Sequence, residues 1–354
     1  MLGDVCCYLM DYLQRECTAT SLCLTFDITR GELNDCLMKL RSMGVQLRCN
    51  YYDNGEVSYK IIRMKKQEPV NNNEFINLKL ANDSLRLNCV AISDLHYGNS
   101  LARVDLVDKL FDYCKRNNIH TIFCCGDFID GTYTKERQDI ANVYAQMEYF
   151  IKNYPRCDDI VTFGVGGDHD YSALSMFGLN ALVGILNHRS DVVVPDFNNV
   201  LVRVKRDEIL LHHKIRKYSP IYGGAASVFL RGHSHAYSSR MIDSCFLDLS
   251  VPSLSDVCNS IPSFIEMNIS FKKQHVKEIL VKHLGYKDDK FVLLAENNFV
   301  FLDKNRNYNN LIYFDDNHGG FKKKVVSDDM NFKSNKNREN KKKRRVKSNR
   351  RGSY

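Results

Sequence analysis

Five short blocks hold the residues of this chain that could do chemistry. In order they are Asp94-x-His96, Gly126-Asp127-x-x-Asp130, Gly167-Asp168-His169-Asp170, His212-His213 and Gly232-His233-Ser234-His235. Each follows an apolar run, as when a buried strand delivers a polar side chain to the edge of a sheet. Carboxylate oxygens and imidazole nitrogens in this number suit two divalent metal ions, Mn²⁺ first, with Fe or Zn²⁺ as alternatives. A shared carboxylate can hold two ions about 3.5–4 Å apart, where they clamp a phosphate and lower the pKa of a bridging water towards ~7. Taken singly, each block is weak, since Gly-Asp is common in turns. Their joint occurrence at strand ends is what points to metal chemistry. Neighbouring strand residues point to opposite faces, so only one of His212 and His213 should reach an ion. His212, which directly follows Ile209-Leu210-Leu211, is the preferred ligand.

Elements of the right kind surround these blocks. Leu87–Ser93, Thr121–Cys125 and Asp159–Gly164 read as strands, and Val104–Arg116, Gln138–Asn153 and Leu174–Asn187 as helices. Val104, Val107, Leu110, Phe111 and Cys114 recur at the three- and four-residue spacing of a crossover helix, which makes Cys89 to Asp130 one βαβ unit. Such units present ligand-binding loops at the carboxyl ends of their strands. Beyond Asp191 short strands dominate: Val192–Val194, Val200–Val204, Ile209–His212, Val228–Leu230, Met241–Leu249, Phe264–Phe271 and Val276–Val281, then Phe291–Ala295 and Phe299–Asp303. An α/β half followed by a strand-rich half predicts two packed sheets flanked by helices.

The order and spacing of the five blocks resemble the calcineurin-like metallophosphoesterases, whose pattern is Asp-x-His, Gly-Asp-x-x-Asp, Gly-Asn-His-(Asp/Glu), His and Gly-His-x-His. The resemblance covers residues 85–285 and implies a four-layer αββα β-sandwich flanked by helices. It implies that Asp94, His96 and His235 hold the first metal, that Asp127 bridges both, and that Asp168, His212 and His233 hold the second. It makes His169 the acid that protonates the leaving oxygen, steered by Asp170 or a nearby carboxylate, with Asp130 orienting a ligand or the site loop. The nucleophile it implies is a bridging hydroxide, with no covalent phosphoenzyme. The chain departs from the family twice. Asp168 stands where the family has Asn, adding a negative charge that should tighten metal binding and weaken the attraction for phosphate. Gly131 follows Asp130 where protein Ser/Thr phosphatases place a phosphate-gripping Arg, which argues against that branch.

Residues 1–65 read as a small winged-helix-like α+β domain. Tyr8, Leu9, Tyr12 and Leu13 suggest a first helix, Thr18 to Ser21 cap a second, and Thr29 with Glu32 form a capping box for a third bearing Leu33, Leu37 and Leu40. Gly44 is a stop signal, and Val45–Cys49 and Val57–Ile62 form a hairpin whose Asn54-Gly55 predicts a type I′ turn. Such a domain could place residues 29–43 in a major groove, although 9 basic against 8 acidic side chains in residues 1–66 give little of the charge that DNA affinity needs. Residues 66–84 are linker and lead-in, with Lys65 to Asn73 polar and unpatterned, and 286–321 are a strand extension. Residues 322–354 hold 14 Lys or Arg against 3 Asp or Glu, a net of +11, and read as a disordered basic tail. The whole chain carries +8, so the rest is near −3: the tail is basic and the folded part is not.

No apolar run reaches the length of a membrane span, and the first residues lack a signal-peptide pattern. Thirteen cysteines without a Cys-x-x-Cys read as reduced, mostly buried thiols of a cytoplasmic protein. The expected function is a dinuclear-metal phosphoesterase acting on phosphodiesters, nucleic acid included through the tail and the N-terminal domain. A phosphomonoesterase and a non-catalytic adaptor are the alternatives. Lys214, Arg216 and Lys217 could line a phosphate path, and the oligomeric state is open.

Overall fold

The computed structural model describes residues 8–10, 12–42, 45, 47–62, 76–81, 84–132, 137–177, 180–195, 199–214, 226–242, 244–258, 260–302, 310–315 and 320–325. The linker from Lys65 to Asn73, Gly44, Arg216, Lys217 and the tail beyond Val325 lie outside them.

In chain order the described elements begin with β1 (Cys17–Thr18), α1 (Ala19–Phe26), α2 (Arg30–Ser42), β2 (Leu47–Tyr52), β3 (Val57–Ile61) and β4 (Ile76–Lys79). Then come β5 (Arg86–Ile92), α3 (Val104–Arg116), β6 (Thr121–Cys124), α4 (Val143–Asn153), β7 (Val161–Gly164), α5 (Asp168–Phe177), α6 (Ala181–His188) and β8 (Val192–Val193). Strands follow to the end: β9 (Asn199–Val204), β10 (Asp207–His212), β11 (Ala226–Arg231), β12 (Ser238–Ile242), β13 (Phe246–Ser250), β14 (Ser263–Lys272), β15 (His275–Lys287), β16 (Lys290–Val300), β17 (Asn310–Asp315) and β18 (Gly320–Val325). No helix among the described residues is long and apolar enough to cross a membrane.

Two large sheets organise these strands. One has seven strands in the order β16-β15-β14-β5-β6-β7-β8, the other nine in the order β1-β3-β2-β4-β9-β10-β11-β13-β12. The alternation of side chains along β5 explains why they stack. Cys89 and Ala91 join one buried cluster with Phe123, Phe163, Val200, Val202, Ile209 and Leu211, drawn from both sheets. Val90 and Ile92, on the opposite face, join a second cluster with Leu106 and Leu110 of α3, Phe150 of α4 and Ile185 of α6. At β5 the seven-stranded sheet is thus covered on both faces, and residues 89–92 of that strand are buried and apolar throughout.

Parallel pairing aligns the strand ends that matter. Ile92 is opposite Cys124, and Cys124 opposite Gly164, so β5, β6 and β7 end together. In the other sheet His212 of β10 is opposite Arg231 of β11, again in parallel. The five chemical blocks follow these ends.

Near the N-terminus the capping box forms as expected: Thr29 N donates to Glu32 Oε2 at 2.9 Å, and Glu32 N to Thr29 Oγ1 at 3.2 Å. The hairpin turn differs. Only Gly55 has positive φ there, Gly55 N donates to the Tyr52 carbonyl, and Tyr52 N to the Glu56 carbonyl. That is a three-residue loop with a glycine bulge rather than a type I′ turn, which would need positive φ at Asn54 as well. The hairpin does not stand alone, since β2 pairs in parallel with β4 and β4 with β9.

Predicted elements divide or merge in three places. Leu174–Asn187 is two helices, broken where Asn180 caps α6 by accepting from Val183 N. Met241–Leu249 is two strands around a turn with Ser244 at φ 54°. Phe291–Ala295 and the first two residues of Phe299–Asp303 belong to the single strand β16, which ends at Val300. Met1–Lys214 with Ala225–Asn305 form one compact unit, and β17 and β18, an antiparallel hairpin, fall in a second. Residues 322–325, which the sequence assigns to the tail, are part of β18.

Candidate metal centre

The loops after β5 and β6 are zipped together by their backbones. Asp94 N donates to the Gly126 carbonyl at 3.0 Å, Leu95 N and His96 N to that of Asp127, Tyr97 N to that of Phe128, and Asp130 N to that of Tyr97. Within them the backbone is unusual. Asp94, His96 and Asp127 have φ of 56°, 50° and 55°, and His233 and His235 have 65° and 56°. A left-handed conformation costs a non-glycine residue on the order of 1–3 kcal/mol and persists only where the surroundings enforce it. Glycine makes the close approach possible: a Cβ on Gly167 would collide with the Asp127 carboxylate.

This backbone gathers the side chains into three overlapping groups, each with ligand atoms within 4.8 Å of one another. They are Asp94, His96 and His235; His96, Asp127 and His169; and Asp94, Asp127 and His213. Asp127 belongs to two of them. Asp94, His96 and Asp127 are essentially inaccessible, and Asp94 Oδ1, Asp127 Oδ2, His96 Nε2 and His213 Nε2 are buried without a hydrogen-bond partner. His235 Nε2 lies 3.2 Å from Asp94 Oδ1, and His213 Nε2 3.1 Å from Asp127 Oδ2. Orphaned acceptors and imidazole nitrogens converging on common points would carry a heavy desolvation cost unless a cation met them. The donor set therefore fits divalent ions.

The electrostatics agree. Burial raises the Asp94 carboxyl, but the His235, His213 and His96 rings more than reverse this and hold it well below the carboxylate range. Burial lowers His213, yet the Asp127 carboxylate, then Asp94 and the Cys125 carbonyl, push it up to about 10. His96 is likewise raised, its burial outweighed by Asp130, Asp127 and Asp94.

His213 meets Asp127, whereas the sequence reading prefers its neighbour His212 as the ligand. Ile209 and Leu211 face the space between the sheets, and strand alternation carries His213, two residues on, to the same side. That signal was present in the sequence but was outweighed by adjacency to the apolar run. His213 Nδ1 meets the Cys125 carbonyl at 2.6 Å, which aims Nε2 at Asp127.

Asp168 and His233 stand apart from the three groups. Asp168 opens α5, and its Oδ2 is 2.9 Å from Lys214 Nζ. The half-buried His233 has its ring 5.3 Å from that of His213 and donates its backbone N–H to Asp94 Oδ2 at 3.1 Å. Its pKa is lowered by burial and by the charges of His213 and Lys214.

Around these groups sits a supporting layer that the sequence only partly disclosed. Asp130 Oδ1 accepts from Asn99 Nδ2 at 2.9 Å and lies 3.5 Å from His96 Nδ1, while Oδ2 accepts from Gln138 Nε2 at 2.8 Å. His169 Nδ1 meets the Asp130 carbonyl at 2.6 Å, and its backbone N–H donates to Asp127 Oδ1 at 2.9 Å. Asp130 is therefore the carboxylate beside His169. Asp170 serves otherwise: Oδ1 accepts from Ile129 N at 3.0 Å and Oδ2 from Gly167 N at 2.9 Å, stapling two site loops. Burial and the Asp127 charge push its carboxyl up to about 7. Asn99, Gln138 and Lys214 sit in no recognisable motif.

Residues 87–250 match the model of the calcineurin-like phosphoesterase superfamily domain. No curated protein matches the chain. Among solved structures, a predicted phosphoesterase from Streptococcus pneumoniae is 13% identical with a TM-score of 0.34, covering 61% of this chain and 99% of its own. Vps29 of Chaetomium thermophilum is 13% identical with a TM-score of 0.38, covering 61% and 97%. A dimetal phosphatase from Danio rerio is 10% identical with a TM-score of 0.39, covering 61% and 99%. Identities and scores this low add nothing to the assignment, which rests on the domain match and on the side chains that converge within it. Residues 87–250 thus match a calcineurin-like phosphoesterase domain, and that match, with the side chains converging within it, supports a metal-dependent phosphoester hydrolase.

Proposed function

We propose that the enzyme is a phosphodiesterase that takes nucleic acid among its substrates. The observation that carries the diester preference is at Gly131. An arginine there could grip a phosphomonoester, but Gly131 has φ 66°, and the space a Cβ would need is filled by the His169 carbonyl and Ser172 Oγ. No side chain fits at that place, which favours a substrate with fewer free phosphate oxygens.

In this reading Asp94, His96 and His235 hold one divalent ion, Asp168, His213 and His233 hold the other, and Asp127 serves both. Mn²⁺ is the preferred metal, as the mixed oxygen and nitrogen donors suit it. Bound there, the ions would supply Lewis acidity for the phosphoryl group and a more acidic attacking water. The chain's own residues do the rest. His169, its Nδ1 turned to the Asp130 carbonyl, presents Nε2 as the proton donor to the leaving oxygen. Asp130 orients both His96 and His169, and the Asp170 staple keeps the Asp127 and Asp168 loops in register. The basic tail supplies salt-sensitive affinity for polynucleotides, and the N-terminal helices and hairpin offer a weaker contact. Arg30 contributes little to that contact, since it donates to Glu56 and Thr20.

The test compares hydrolysis of a bis-nitrophenyl phosphate, a nitrophenyl monoester and single-stranded DNA in Mn²⁺, with Asp127→Asn as control. The diester and the DNA should be turned over and the variant should be inert. Preferred turnover of the monoester would make it a phosphomonoesterase, and turnover of nothing would leave a binding protein.

A further inference from the structure

The unexpected charge at Asp168 has a partner. Lys214 follows His213 directly, so the backbone that brings an imidazole to Asp127 also brings an ammonium 2.9 Å from Asp168 Oδ2. The lysine side chain is 47% exposed and the aspartate 18%, so the pair stands at the mouth of the site rather than in its floor.

The sum of charges shows what the pair does. Two divalent ions bring four positive charges, and Asp94, Asp127 and Asp168 remove three. The single charge left is a weak attraction for a phosphate group. A neutral ligand in place of Asp168 would leave two. With an ammonium held on Asp168, the count returns to two.

We propose that Lys214 sets the affinity of the site for phosphate by cancelling the charge of Asp168, so that the two residues act together as one neutral ligand. This rests on the two-ion reading above but not on turnover. Lys214 is then a positioning and charge-setting residue that need not touch the substrate. It also competes with a metal for the Asp168 oxygen.

Binding experiments on the full chain without turnover test this, with Mn²⁺ and inorganic phosphate as probes. Lys214→Met changes a half-exposed side chain and should leave the fold intact. In Mn²⁺-loaded protein it should weaken phosphate binding about tenfold, the effect of one charge at close range in a partly wet site. In calorimetric titration of the metal-free protein the same variant should bind Mn²⁺ several-fold tighter, its competitor removed. Adding Asp168→Asn to Lys214→Met should return phosphate binding to within about twofold of the parent, because the charge count is the same. The proposal is overturned if Lys214→Met binds phosphate as the parent does. It is equally overturned if the double variant stays as weak as the single one, meaning that the ammonium grips phosphate directly, or if the double variant no longer binds Mn²⁺. Parent protein that binds both probes but hydrolyses no ester would refute the proposed activity and leave this inference standing.

Discussion

The two halves of the proposed metal centre are built differently. In the inner half Asp94, His96 and Asp127 rest on loops zipped backbone to backbone, and with His235 they are all in the left-handed region, as is His233 of the outer half. The outer half is more open: Asp168 contacts a lysine at the rim and His233 is half-buried, although His213 is buried against Asp127. Strain is tolerated where neighbours over-determine the chain, and such places suit ligands that must not move. The inner half is the preorganised one. The outer half keeps a half-exposed ammonium beside its carboxylate.

The largest effect expected from this contrast is at Asp127, the carboxylate common to both halves. Asp127→Asn should lower kcat/KM by several kcal/mol of transition-state stabilisation, a factor of about a thousand or more, and should remove both Mn²⁺ sites in calorimetry. Next comes the choice between neighbouring histidines. His213→Ala should cost on the order of a hundredfold or more and abolish one Mn²⁺ site, while His212→Ala should keep both sites. The reverse pattern would show that the Asp127–His213 contact has no part in metal binding. Asp130→Asn should cost about 10–100-fold, the usual loss when a residue that orients a ligand is changed, with His96 and His169 both set adrift.

Much of this site could be read from sequence, because parallel strands ending at a common edge deliver their next residues to one place. That rule brings Asp94, His96 and Asp127 together, while their ligand roles and the place of His235 are what the family resemblance implies. What could not be read was direction and support. The left-handed turns at Asp94 and Asp127 leave no mark in residue type, since only Gly126 beside them advertises positive φ. Asn99 and Gln138 hold Asp130 from segments that are neighbours only in space. In the fold, the βαβ unit was legible because α3 has a strict apolar period. The single helix expected at Leu174–Asn187 was not, because the apolar pattern runs on through the cap at Asn180 that divides it. The link from β2 through β4 to β9 was also hidden, because pairing between distant strands depends on tertiary contacts rather than local pattern.

Acidity offers a finer test at the seam between the halves, where His213 meets Asp127. With His213 raised to about 10 in the metal-free protein, a proton must leave before the ring can ligate. Apparent Mn²⁺ affinity should therefore climb about tenfold per pH unit from 6.5 towards 10, rather than level off above 6.5. Calorimetry at pH 8 in buffers of different ionisation enthalpy should record proton release, and His213→Gln should release about one proton fewer. The sign for stability is opposite. A raised histidine stabilises the metal-free fold fully below 6.5, and that contribution is lost as pH rises through about 10. Saturating metal should reverse the trend, so melting temperatures with and without Mn²⁺ should diverge as pH increases.

The smallest expected effect lies far from either half and asks whether the N-terminal segment melts with the rest. Thr29→Ala removes one member of the α2 capping box and should cost about 1 kcal/mol, leaving turnover unchanged. Leu22, Leu33 and Leu37 share a buried cluster with Val200 and Val202, and β4 pairs with β9. A cap lost in a segment so joined should lower one common calorimetric transition by a few degrees. A second, lower transition appearing only in the variant would mean that the helices and hairpin unfold by themselves. The backbone pairing through β4 would then be a seam between two cooperative units, and the rigidity of the inner metal half would owe nothing to the N-terminal strands.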